Sequence, residues 1–110
     1  MLIQVDRDQE VVQTIETRAR ELGIANGGIT LIGAVHEVAV SVMRKSDAKD
    51  DLLREYAQPF ELSGTGEILD GAVHAHVTLF GEDLTIGGHL HSATVRDFFV
   101  RAYVTPIESS

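Results

Sequence analysis

An Asp-Gly pair followed by nine alternating residues, Asp70-Gly71 and then AVHAHVTLF over 72–80, sets the tightest limit on the architecture. Asp-Gly suits a two-residue hairpin, because both central residues of a type I′ turn need positive φ. Side chains alternate between the two faces of a strand. Val73, Ala75, Val77 and Leu79 therefore share one face, and His74, His76 and Thr78 share the other. That is the signature of a half-buried antiparallel strand, and the rest of the chain must supply its partners.

Candidate partners lie on both sides. Gly27-Gly28 opens an apolar, β-branched run, Ile29 to Ile32, which resumes after Gly33-Ala34 as Val35 to Met43 with Val38, Val40 and Val42 on one face. The Gly-Ala pair predicts a bend or bulge. Arg44 to Asp51 reads as a charged, solvated turn, and Leu52 to Tyr56 fits either a strand or a helical turn. In PFELSGTGEIL, the Ser63-Gly64-Thr65-Gly66 centre lacks the lysine of a phosphate-binding loop and reads as a strand bend. Gly81-Glu82-Asp83 turns the chain into LTIGGHLHSATV, where Gly87-Gly88 permits close backbone approach. In the last segment, Val95 to Ile107, Phe98, Val100, Ala102 and Val104 alternate with Phe99, Arg101 and Tyr103. Apolar groups on both faces there predict packing of Phe99 and Tyr103 against a neighbouring subunit.

Only one stretch has helical periodicity. Val12, Ile15, Ala19 and Leu22 form a single stripe, Asp6 or Asp8 can cap its start, Asp6 with Gln9 fitting a capping box, and Gly23 fits a C′ residue. The spacing predicts a helix over 8–22. The whole reads as an α+β fold, a single antiparallel-sheet-dominated domain over residues 1–110 with one long N-terminal helix.

Composition narrows the function classes. With 44% hydrophobic residues the chain can build a core, although 110 residues leave much of it facing water unless it self-associates. There is no cysteine, which excludes disulfides and thiolate metal sites. No charged and apolar leader is visible at MLIQVDRDQE, and no apolar run reaches the roughly 20 residues of a bilayer span. The expectation is a cytoplasmic protein without a membrane partner. Seventeen Asp and Glu against nine Lys and Arg give a net charge of −8, which repels a polyanion and argues against direct DNA binding.

Four segments in order carry a resemblance: Gly28-Ile29 with Gly33-Ala34-Val35, Val38 and Val40; Phe60-Glu61-Leu62-Ser63-Gly64; His74-Ala75-His76-Val77-Thr78-Leu79; and Gly87-Gly88-His89-Leu90. Together they resemble the PPC (plant and prokaryote conserved) domain family across nearly the whole chain. The resemblance implies a compact domain with a central antiparallel sheet that assembles as a homotrimer. Plant members follow a short basic AT-hook arm that enters the minor groove, whereas prokaryotic members are usually the bare domain, often labelled DNA-binding by analogy. This sequence has no Arg-Gly-Arg-Pro core. It does keep histidines at the third and fourth motifs, as some bacterial members do, and there they look like a metal site.

Two readings of the five histidines stand. Neutral imidazole is a common ligand for zinc and other divalent transition metals. His74 and His76 point the same way from one strand, and His89 reaches them if its segment pairs with 72–80, completing a three-histidine set. Alternatively, all are surface or interface histidines hydrogen-bonded to neighbours. His91 shares the face of His89 only if Leu90 is in a strand, and His36 reads as structural. Glu61 reads as a general base or hydrogen-bond acceptor, or as a solvated strand carboxylate. The expected function is a homotrimeric binding and assembly module with a histidine metal site, whose partner is a small molecule or protein. The alternatives are a zinc-dependent hydrolase or lyase and a DNA-associated regulator.

Overall fold

In the computed structural model, residues 1–108 are described, so the last two residues of the expected 1–110 domain lie outside them. β1 (Leu2–Val5) and α1 (Val11–Glu21) precede five strands: β2 (Gly27–Arg44), β3 (Asp47–Leu69), β4 (Ala72–Phe80), β5 (Thr85–Thr94) and β6 (Val100–Pro106). All pairings are antiparallel, in the order β1-β6-β2-β3-β4-β5, with β2 pairing β5 as well. The sheet thus returns on itself through β2–β3–β4–β5. Gly88 sits at that closure, where a Cβ would come within 2.6 Å of the Ser41 carbonyl oxygen.

Every inward position predicted for the 72–80 strand is apolar and at least half-covered: Ala75, Val77 and Leu79 are buried, and Val73 packs at their edge. They join Leu31, Val38 and Val40 of β2, Phe60 and Leu62 of β3, Leu90 of β5, and Val100, Ala102 and Val104 of β6. Helix α1 buries Val11, Ile15 and Ala19 and packs against β1, β4 and β5. Two of its carboxylates hold it to the sheet: Glu16 accepts from the Val73 N–H and Glu10 from the Ala93 N–H, each at 2.9 Å.

The helix is shorter than the predicted 8–22, and its start differs for a physical reason. Asp8 has φ 68°, incompatible with a helix entry, while Asp6 and Gln9 close a separate turn through Asp6 N–H to Gln9 Oε1 at 2.7 Å. Glu10 is the cap, accepting from the Val12 and Gln13 N–H groups at 2.9 and 2.8 Å. The C-terminus follows expectation: Gly23 has φ 75°, and Ile24 N–H reaches the Ala19 carbonyl at 2.8 Å, a Schellman closure.

Other differences concern strands. The 44–51 segment is not an open turn; only Lys45 and Ser46 turn, and β3 begins at Asp47 as an exposed hairpin arm. The irregularity in β2 falls at His36, between Val35 and Glu37, just beyond the Gly33-Ala34 pair. Ser63 to Gly66 pair in unbroken register with both β2 and β4 instead of interrupting the strand. Gly66 is needed there because a Cβ would overlap the His74 carbonyl oxygen of β4. Residues 95–99 form a loop, leaving Phe98 68% exposed rather than facing inward with Val100.

Gly66→Ala should therefore lower stability by about 1–3 kcal/mol through backbone overlap. Gly28→Ala, which meets nothing within 4 Å, should change it by less than about 0.5 kcal/mol. Urea denaturation of the two variants beside the parent chain checks the contrast, and equal effects would contradict it.

Candidate metal centre

Residues directly opposite in an antiparallel pair project to the same face. Counting outward from the Asp70-Gly71 turn, whose φ values are 50° and 83°, Glu67 pairs with His74 and Thr65 with His76. His76 then pairs with His89, and His89 with Ser41 of β2. One outer-face row thus runs from Thr65 through two imidazoles back to β2. Leu90 lies in β5 and is buried, so its neighbours His89 and His91 both turn outward.

His89 is the hub of the cluster. Its ring centre lies 5.1 Å from that of His91, 5.9 Å from that of His76 and 6.4 Å from that of His74. Two imidazoles bound to one tetrahedral ion, with bonds near 2.0–2.1 Å, have ring centres roughly 5 Å apart. The His89–His91 pair already has that separation, while His74 and His76 stand about 1 Å farther out. Accordingly, among the described residues no group of three or more His, Cys, Asp or Glu donors is already arranged to hold an ion. Side-chain rotation would have to supply the remaining convergence.

The predicted trio His74, His76 and His89 is brought to one face, and His91 joins it as the nearest neighbour of the hub. Ser41 and His91 share a 2.7 Å hydrogen bond through Oγ and Nε2, which leaves Nδ1 of His91 as its unengaged donor atom. Ser41 is 5% exposed, an unusual setting for a hydroxyl on an outer face, and His91 gives it a partner. Neither Ser41 nor Glu67 was singled out in the sequence, yet the turn register alone places Glu67 beside His74. Glu61 lies four residues along β3 from Thr65, about 13 Å at strand rise, and lines a cavity with His36 instead.

Electrostatics suit metal binding. Burial pushes His89 below the ordinary histidine value, and the positive potential of His91, His76 and His74 adds to it, with Asp51 acting in the opposite sense. A lowered value keeps the ring neutral and its lone pair free.

The comparisons with known proteins are consistent with this architecture. The model of the Plants and Prokaryotes Conserved (PCC) domain matches residues 1–108. No curated protein matches the chain. A metal-containing protein from Archaeoglobus fulgidus is 29% identical and superposes with a TM-score of 0.84, over 99% of this chain and 79% of that one. A protein from Ralstonia eutropha JMP134, described conjecturally as DNA-binding, is 25% identical, with a TM-score of 0.84 over 98% and 78% of the two chains. α-Acetolactate decarboxylase from Bacillus subtilis shares the fold alone, at 14% identity and a TM-score of 0.65, over 96% of this chain and 52% of that one.

The lowered His89 value has a pH consequence. The folded protein takes up this proton at lower pH than the unfolded chain. Its contribution is complete above about pH 6.5 and is lost as pH falls through the lowered folded value. Thermal unfolding across that range, with His89→Gln beside the parent, should show a shallower acid decline in the variant. Superimposable declines would contradict the assignment.

Proposed function

We propose, from the premise that the chain belongs to the Plants and Prokaryotes Conserved domain family, that it is a self-associating binding module whose outer-face histidines hold a divalent transition metal. The observation that carries the reading is the placement of three imidazoles around His89, all within 6.4 Å of its ring centre. The metal-containing Archaeoglobus relative supports it. His74, His76, His89 and His91 are the candidate ligands, zinc is the first metal to try, and Ser41 would orient His91 as hydrogen-bonded partners orient metal-binding imidazoles. When bound, such an ion would supply Lewis acidity.

Self-association as a homotrimer draws support from the other end of the same face. Leu2 and Tyr103 are paired across β1 and β6, and Ile32 lies on the adjoining β2; these side chains are 49%, 48% and 58% exposed. Phe99, expected in the same contact, lies instead under the Arg101 guanidinium, 4.2 Å from ring centre to Cζ. A hydrolase would need a base near the imidazoles; Glu61, the expected one, lies elsewhere, and Glu67, opposite His74, is the carboxylate beside them. A DNA-associated role rests on the description of the Ralstonia relative and runs against a net charge of −8.

Untagged protein should retain about one divalent ion per chain after gel filtration, and His74→Ala/His76→Ala should retain none. Equal trace metal in both would remove the metal reading. Light scattering should give the mass of a trimer, and Ile32→Glu should shift it towards the monomer. A monomeric parent at micromolar concentration would remove the assembly reading.

A further inference from the structure

A second feature lies apart from the histidine row. Beside the far end of β4 and the middle of β3, a cavity of about 570 Å3 opens between the β2–β3 bulge, the β4–β5 turn and the 95–99 loop. Its volume is within the range of small-molecule sites. Phe80 and Phe98 line it while remaining 48% and 68% exposed. Four carboxylates line it too: Glu61, Glu82, Asp83 and Asp97. The cation in the lining, Arg96, is already committed. It gives Nε and Nη2 to Glu37 at 3.1 and 3.0 Å and Nη1 to Asp8 at 2.9 Å.

The bulge places one more group here. His36 is the single residue of β2 set opposite two of β3, Gln58 and Pro59, so β3 carries the extra residue, and bulges re-aim side chains next to sites. Its Nδ1 is the one buried side-chain polar atom without a hydrogen-bond partner among the described residues, and the nearest acid, Glu37 Oε2, is 3.9 Å away. The ring as a whole is 35% exposed, so a modest rotation can present that nitrogen to a donor.

We infer that this cavity binds a small organic cation, an amine or guanidinium on an apolar stem. An anion would meet four carboxylates and a guanidinium whose charge is already paired with Glu37 and Asp8. A neutral apolar ligand would leave those carboxylates without a counter-charge. A cation meets both the carboxylates and the faces of two exposed aromatic rings, which attract positive charge. An N–H of the cation also gives the unpartnered His36 Nδ1 a hydrogen bond in the tautomer whose lone pair is on that nitrogen.

The test uses agmatine, which carries a guanidinium and an ammonium on an aliphatic stem, against chelator-treated protein at physiological ionic strength, where non-specific attraction is screened. Calorimetry should show saturable binding of about one equivalent, weakened roughly tenfold or more by Glu61→Gln and by Phe98→Ala. Asp50→Asn/Asp51→Asn, on the exposed arm, should leave it unchanged, and 4-guanidinobutyrate, with a carboxylate in place of the ammonium, should bind more weakly. Absence of saturable binding at millimolar agmatine, or affinity that either cavity variant leaves unaltered, would overturn the inference. Because the protein is metal-free, loss of the histidine reading does not affect this result.

Discussion

The fold depends on hydrogen bonding along both edges of one overlong strand. β2 has 18 residues and β3 has 23. Extended at about 3.3 Å per residue they would measure roughly 60 and 75 Å, yet the molecule spans only 40 Å in its longest direction. They must coil. The coiling lets β2 pair with β6 and β3 in its first half, and with β3 and β5 in its second. Because β5 returns to β2, Ser41 comes to lie directly opposite His89. The histidines of β4 and β5 share a face through their own pairing, and backbone closure adds Ser41 of β2 to it.

The same closure separates two chemistries on one acidic protein. At one end imidazoles gather around His89, whose own ring is held below the ordinary histidine value by burial and by its histidine neighbours. At the other, carboxylates and exposed aromatic rings line a cavity with His36. Between the two ends, β3 carries only Ser63 and Thr65 on its outer face, so neither end is wired to the other by a charged chain.

What was legible in the sequence follows from which signals are local. The 72–80 strand could be read because one face is core and the other solvent, so hydrophobicity alternates. The Asp70-Gly71 turn and the Gly23 stop could be read because each needs positive φ. The helix start was hidden because Glu10 is an uncommon cap, favoured here by its second bond to Ala93 N–H, a contact 83 residues away. The 44–51 arm was hidden because a strand solvated on both sides has no alternation to detect. Of the site, His74, His76 and His89 were legible by spacing and by the resemblance. The closer approach of His91 depends on the β2–β5 pairing and its irregularity near Val40, which nothing in the local sequence announces.

The central claim is that imidazoles around His89 share one ion, and the most direct measurement is X-ray absorption at the zinc edge of zinc-loaded, untagged protein. The account predicts a first shell dominated by three or four nitrogens at about 2.0–2.1 Å, with the outer-shell scattering of histidine rings. A shell of oxygens, such as the acidic arm at Asp47–Asp51 would provide, would contradict it.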